Sequence, residues 1–371
     1  MRDAVVTRIR QVLDERGLDA LVSLSPENIA YTAGMVIPSQ PLMRWRHAAT
    51  VITADRLAVL CIDMEETTVR AALPDDEVYV WREFVDRPMT ELAAAMRDLG
   101  LADARVGIEL SYLPAADFAE LQQHLPNARY EPADELLTRA RQVKTAEEIA
   151  LLERLARISD TAIRDSLAAV RAGDSEMDIA ATLTRSVYEQ GAQQFKLMIV
   201  ASGERSQLPN VGPTSRVLTP GDVARVEIFS VIDGYQAGVC RTAVVGDASP
   251  IAEKIYRNLI ECKHAVFQAI SPGVSTRSVY ETYRDTFNAL DMPAISFVAH
   301  SIGVNLHEPP YFGPYSDHTV EPGMVLGMEP LVYRSGHGFG MQIKDMIAVE
   351  ASGARLLSDV TDTESIYRIQ A

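Results

Sequence analysis

The sequence predicts an α/β domain followed by an α+β domain, and three observations point there. The chain has 371 residues, more than one hydrophobic core ordinarily serves. Its first third alternates short apolar runs with amphipathic segments. From Phe195 onward the pattern changes to strands joined by tight turns, with helices interspersed but no strict strand–helix alternation.

Taken in order, the opening MRDAVVTRIRQVLDERG places Val5, Val6, Ile9, Val12 and Leu13 on one side of a helix. It lacks the continuous apolar stretch and cleavage site of a signal peptide. Strands are expected at ALVSLS, AATVITA, LAVLCID, VYVW and RVGIEL, and helices after Asp3, Met64, Met89 and Pro114. These make up the first domain, residues 1–134. The second, residues 135–371, contains Lys144-Thr145 followed by Glu147-Glu148, which predicts a capping box with Thr145 as N-cap and Glu148 three residues on. The apolar spacing Ile149, Leu152, Leu155, Ala156 and Ile158 then runs along one long helix. Another helix follows GDSEMDIAATL. Asp233-Gly234 between two apolar runs signals a hairpin. Two helices are expected near 251–270 and 275–290. The stretch GFGMQIKDMIAVE reads as one strand, with Met341, Ile343, Ile347 and Val349 on one side and Gln342, Lys344, Met346 and Ala348 on the other.

Composition narrows the function. The apolar fraction is 47% and the charged fraction 23%, as in a globular protein. A net charge of −16 repels phosphate backbones and argues against nucleic-acid binding. No apolar run approaches the roughly 20 residues that span a bilayer, so no membrane partner is expected. Cys61, Cys240 and Cys262 are an odd number without metal-type spacing, which fits reduced thiols in a cytoplasmic protein.

The candidate chemistry lies in the second domain. His300 and His307 belong to HSIGVNLHEPP, shaped by a glycine and two prolines. Glu329 ends an apolar run before a proline, and Glu227 has apolar neighbours on both sides. A buried glutamate needs a hydrogen-bond donor or a cation. Lys344, in the middle of an apolar strand, is either solvated or such a cation.

The ordered set LVSLSPENIAYTAG, RQVKTAEEIALLERLARISD, PGDVARVEI…DGY…RTAVVG, AHSIGVNLHEPP, EPGMVLGMEPLVY and MQIKDMIAV resembles the creatinase/prolidase/aminopeptidase P family (M24), over nearly the whole chain. The resemblance implies a creatinase-type N-terminal domain and a pita-bread catalytic domain. The family's peptidases hold two divalent metals with two aspartates, a histidine and two glutamates. Carried over, those positions are Glu227, Gly238, His300, Glu329 and Lys344. The two that bridge the metals are therefore a glycine and a lysine. An ammonium offers a metal no lone pair, so Lys344 is expected to occupy the place of the metals and neutralise Glu227 and Glu329, with no metal or other cofactor.

The resemblance then implies a metal-independent hydrolase that cleaves an amide, amidine or ureido C–N bond of a small polar molecule, as creatinase and ectoine hydrolase do. Glu227 or Glu329 would orient water or take its proton. His300 with His307 would relay a proton to the leaving nitrogen, and Lys344 would supply fixed positive charge. A neutral Lys344 would itself be a base. Asn210 stands where the family commonly has a histidine, and asparagine cannot shuttle a proton. Arg46, beside Trp45, falls on an arginine that binds substrate carboxylate in creatinase, from a loop that reaches the partner subunit's site in a homodimer. Arg241 is read as supporting the hairpin or a carboxylate. Two other readings stand beside this one. They are a metal-dependent Xaa-Pro dipeptidase or aminopeptidase, and a non-catalytic binding protein on the same fold.

Overall fold

Leucine- and valine-rich runs buried on both faces need helices above and below them, and the first third of the chain supplies both. The computed structural model describes Met1–Ala371 and divides into two units, Met1–Arg141 and Gln142–Ala371. The division falls at the last residue of the helix Asp134–Gln142. In the first unit Tyr31 donates from its hydroxyl to the Ala140 carbonyl at 2.8 Å, which ties that helix to the unit.

The first unit is a six-stranded mixed sheet. Its order is Glu77–Trp81, Leu57–Ile62, Ala49–Thr53, Ala20–Ser23, Arg105–Ile108 and Arg129–Pro132. The strands expected from sequence are present, and so are the helices Arg2–Arg16, Glu66–Ala72, Pro88–Asp98 and Ala115–His124. The helix Pro26–Ala33 was not expected, although its signals are in the sequence. Ser25 caps it by accepting from Asn28 N, and a proline sits in its first turn. The edge strand Arg129–Pro132 was also missed. It is half exposed and ends in proline, so its alternation is weak.

In the second unit the capping box forms as read. Thr145 N donates to Glu148 Oε2 at 2.7 Å, and Glu148 N donates to Thr145 Oγ1 at 3.2 Å. It opens the helix Ala146–Ala168. The other Glu148 oxygen accepts from Tyr235 Oη at 2.9 Å, so the cap also anchors the hairpin. That hairpin, Val223–Ile232 with Tyr235–Val245, is buried along both strands. Asp233 and Gly234 turn it with φ of 51° and 83°, the positive pair that a two-residue turn needs. The hairpin lies in a four-stranded sheet flanked by Gln194–Ser202 and Tyr367–Ile369. A five-stranded sheet runs Glu308–Phe312, Ala299–Ser301, Val325–Met328, Asp345–Glu350 and Gly353–Leu356. The helices Pro250–Ala269 and Thr276–Ala289 contribute Leu259, Val266, Tyr283 and Phe287 to the same apolar cluster as Leu326, Met328 and Ile347.

The single strand expected across 338–350 is two. Met341–Gln342 pairs with Leu331–Val332, whereas Asp345–Glu350 pairs with Val325–Met328. Between them Ile343 N bonds the Pro330 carbonyl at 3.1 Å, and Lys344 pairs with Cys240. Alternation of side chains survives such a change of partner, so periodicity did not reveal it.

Candidate active site

Four backbone segments converge on the candidate residues. Glu227 sits mid-strand opposite Cys240. His300 is the middle residue of Ala299–Ser301 and faces Gly327. A Cβ at Gly327 would lie 3.1 Å from both the His300 ring and Lys344 Cε, so the missing side chain makes room for both. Glu329 follows Val325–Met328, fixed by its N–H to the Val298 carbonyl at 2.8 Å. Lys344 is locked to Cys240 by reciprocal backbone bonds of 3.1 and 3.2 Å, and Arg241 Nη1 donates to its carbonyl at 2.8 Å.

Lys344 is a buried cation, its side chain 1% exposed. Its Nζ lies 3.4 Å from Glu227 Oε1, 3.3 Å from Glu329 Oε2 and 4.6 Å from the centre of the Phe229 ring. Burial disfavours the ammonium, but the two carboxylates outweigh it and raise its pKa. Glu329 has further support, because Gln342 Nε2 donates to Oε2 at 2.9 Å and Gln342 Oε1 accepts from Arg225 at 2.8 Å. Burial would push its carboxyl up, yet the Lys344 ammonium holds it down at about 2. Glu227 shares the ammonium with less help, so burial prevails and raises it.

The other Glu329 oxygen is the unusual atom. Oε1 has no hydrogen-bond partner, and neither has His300 Nε2, 3.3 Å away. His300 Nδ1 lies 2.8 Å from the Ser301 carbonyl. A carbonyl only accepts, so the ring proton is on Nδ1 and Nε2 carries a bare lone pair. Two acceptors therefore face each other in a buried site. His307 stacks on His300 with ring centres 3.6 Å apart and planes 13° apart. Its Nε2 is 4.0 Å from Glu329 Oε1, and its side chain is 36% exposed. The three donors lie within 4.8 Å of one another. Burial lowers both histidines, His307 to about 3. Neither is an imidazolium at neutral pH, so each is a neutral ring with one lone pair to offer.

Arg241, read as supporting the hairpin or a carboxylate, is buried with its donors committed. They serve Asp160, Asp345 and the carbonyls of Cys240, Lys344 and Ser358. Arg241 fixes the backbone beneath Lys344. Asn210 is exposed, just beyond Leu208 and Pro209, whose carbonyls accept from Arg225. In the first unit the Arg46 fork is engaged by Glu83 at 3.0 and 2.8 Å, and Trp45 Nε1 donates to the same carboxylate at 3.3 Å. Cys240 is buried, which raises its thiol well above the usual range and leaves no thiolate.

Sequence reasoning missed Phe229, Gln342 and Gly327. Phe229 was within reach. Counting outward from Asp233-Gly234 pairs Phe229 with Gly238, and a Cβ at 238 would lie 2.2 Å from the Phe229 ring. The ring lies over the position where the resemblance puts a metal-bridging aspartate. Gln342 and Gly327 carried no local signal.

The description "Metallopeptidase family M24" matches residues 150–351, more than half of the chain. The chain belongs to this family. "Creatinase/Prolidase N-terminal domain" matches residues 6–143, so the two units are a creatinase-type N-terminal domain and a pita-bread catalytic domain. A family M24 protein of this kind is a hydrolase acting on C–N bonds. Among similar curated proteins, an uncharacterized peptidase of Bacillus subtilis, YqhT, is 26% identical over 95% of this chain and 96% of its own. An Xaa-Pro dipeptidase of Pyrococcus furiosus is 24% identical, again over 95% and 96%. Among solved structures, an Xaa-Pro dipeptidase from Bacillus anthracis superposes with a TM-score of 0.85 at 24% identity, covering 99% of this chain and 100% of that one.

These relatives overturn the expectation of a metal-independent, creatinase-like hydrolase. The match is to a metallopeptidase family, and the relatives are named peptidases and Xaa-Pro dipeptidases, which favours the metal-dependent reading set beside it. The residues themselves do not fit the family's two-ion arrangement. Gly238 offers no ligand, Phe229 fills the space beside it, and the Lys344 ammonium stands between the two carboxylates. The unpartnered His300 Nε2 and Glu329 Oε1, with His307, form a smaller donor set that remains open. No helix is long and apolar enough to cross a membrane.

Proposed function

We propose that this family M24 member is a peptidase of the Xaa-Pro dipeptidase type, hydrolysing the amide C–N bond of small peptides. The observation that carries the reading is the convergence of His300, His307 and Glu329 on one point, half open through His307 and buried behind it. An apolar place for a proline ring lies within electrostatic reach. A cavity of about 540 Å³ is lined by Leu208, Pro209, Ile295 and Tyr333, with Glu204 and Arg334. Arg225 stacks on Tyr333 at 5.1 Å and reaches Glu329 through Gln342. Arg334 suits the terminal carboxylate of a dipeptide.

The roles follow from the protonation states. Glu329 stays ionised and orients. Glu227, raised by burial, is the carboxyl placed to gain and lose a proton. Lys344 keeps a fixed positive charge where negative charge develops on the attacked carbonyl. His307, neutral and half exposed, offers its lone pair at the mouth of the site. We place the protein in the cytoplasm, in keeping with three buried free cysteines, and as a homodimer. Leu42, Trp45, Phe84 and Val85 are 80%, 62%, 94% and 67% exposed, and the Trp45–Glu83 bond joins their two segments.

The test is release of free proline from Ala-Pro, Leu-Pro and Met-Pro, with Xaa-Ala dipeptides and creatine as controls, after incubation with zinc, cobalt or manganese. Cleavage of the proline peptides, reduced by about 10²-fold or more in Glu329→Gln, is expected. Turnover of creatine alone, or of no dipeptide, refutes the reading.

A further inference from the structure

We infer that this centre takes one divalent transition-metal ion rather than two, held between His300 Nε2 and Glu329 Oε1, with His307 Nε2 as third donor once its half-exposed ring turns out of its stack on His300, while the Lys344 ammonium fills the second ion's place. The inference rests on the peptidase reading only for the expectation that an ion is used at all.

The first support is the pair of unpartnered acceptors. His300 is 0% exposed and Glu329 4%, so water does not freely serve them. Their facing atoms are 3.3 Å apart. Bonds of ~2.1 Å at a tetrahedral angle put two donors roughly 3.4 Å apart. The bare Nε2 lone pair is fixed by the Nδ1 proton on the Ser301 carbonyl, the outer hydrogen bond that metal-binding histidines ordinarily make. Two imidazoles and a carboxylate are a donor set for zinc, cobalt or manganese rather than calcium. The exposed side of His307 gives an ion a way in from solvent.

The second support is what closes the other place. Lys344 Nζ sits on the opposite oxygen of Glu329 and on Glu227, with the Phe229 ring against it. Gly238 presents nothing across from it. Two ions would bring four positive charges to a site whose two carboxylates already face Lys344, with Arg225 one residue behind. One ion brings two, and it meets the oxygen that Lys344 does not touch.

The experiment strips the full-length protein with chelator and titrates it with Zn²⁺ or Co²⁺ by calorimetry. Elemental mass spectrometry after desalting gives the bound equivalents, and the visible Co²⁺ spectrum reports the ligand field. One equivalent with a low-coordinate Co²⁺ spectrum is expected, and His300→Ala should abolish both. Two equivalents, or none, overturn the inference. In a second arm, Phe229→Gly, Gly238→Asp and Lys344→Glu are combined, with folding checked by circular dichroism. A second equivalent is expected in the folded variant, and its absence removes Lys344 and Phe229 as the closing groups. Dipeptide cleavage by protein without bound ion would sink this inference and leave the peptidase reading intact. One tight ion with no cleavage would do the reverse.

Discussion

At the scale of single residues, the centre turns on Lys344 serving two carboxylates at once. Removing a buried cation leaves its partners uncompensated, which typically costs about 3–5 kcal/mol. Lys344→Met is therefore expected to lower stability by that order, read from urea midpoints, and Glu227→Gln added to it should restore part of the loss. Equal stability of Lys344→Met and wild type would mean that the ammonium is not held between the carboxylates. The apolar strand left Lys344 either solvated or buried, and its pairing with Glu227 and Glu329 was implied by the family resemblance. The Gln342–Arg225 chain behind Glu329 was not legible, because a glutamine in a strand gives no sign of where its amide points. Nor was the neutral state of the histidines, which depends on burial that only the packed structure supplies.

At the scale of elements, the hairpin couples two positions that sequence patterns treat separately. Phe229 and Gly238 are directly opposed on neighbouring strands, and any side chain at 238 meets the Phe229 ring. Gly238→Asp alone is expected to destabilise by about 1–3 kcal/mol through overpacking. Combined with Phe229→Ala, it should cost clearly less than the sum of the two single changes. Strict additivity in that double-mutant cycle, measured by chemical denaturation, would show that the ring has somewhere else to go. The capping box at Thr145 and the Asp233-Gly234 turn were legible because each is a local rule complete within four residues. The strand break between Gln342 and Asp345 was not. It is set by Cys240 and Pro330, about a hundred and about a dozen residues away respectively, and only the folded chain brings them together.

At the scale of the whole molecule, the two-domain division and the family were legible because the ordered motifs run nearly the length of the chain. Metal dependence was judged from two substituted positions alone, and the relatives corrected it. Acid sensitivity is also a property of the whole fold. Glu329 is held at about 2 against an ordinary 4.5, so it adds stability that is fully present above about pH 4.5 and is lost as pH falls toward about 2. Glu227 is raised and acts in the opposite sense, giving up stability as pH climbs past its ordinary value. The penalty of Glu329→Gln, measured by urea unfolding, should be complete at pH 6 and nearly gone at pH 2. A penalty unchanged at pH 2 would contradict the depressed carboxyl. The proposed dimer has its own check by sedimentation, in which Trp45→Ser with Phe84→Ser should shift wild-type dimer toward monomer. An unchanged distribution, or a monomeric wild type, rules out that face.

The opposition of Phe229 and Gly238 also governs how this sequence can change. Placing an acid at 238 while the ring remains creates a collision, and trimming the ring first opens a hole under the Lys344 ammonium. Either order passes through a less stable protein, and a lysine-to-acid change at 344 made alone sets three carboxylates together. No one substitution therefore makes this site a five-ligand centre, and each single step toward one costs stability.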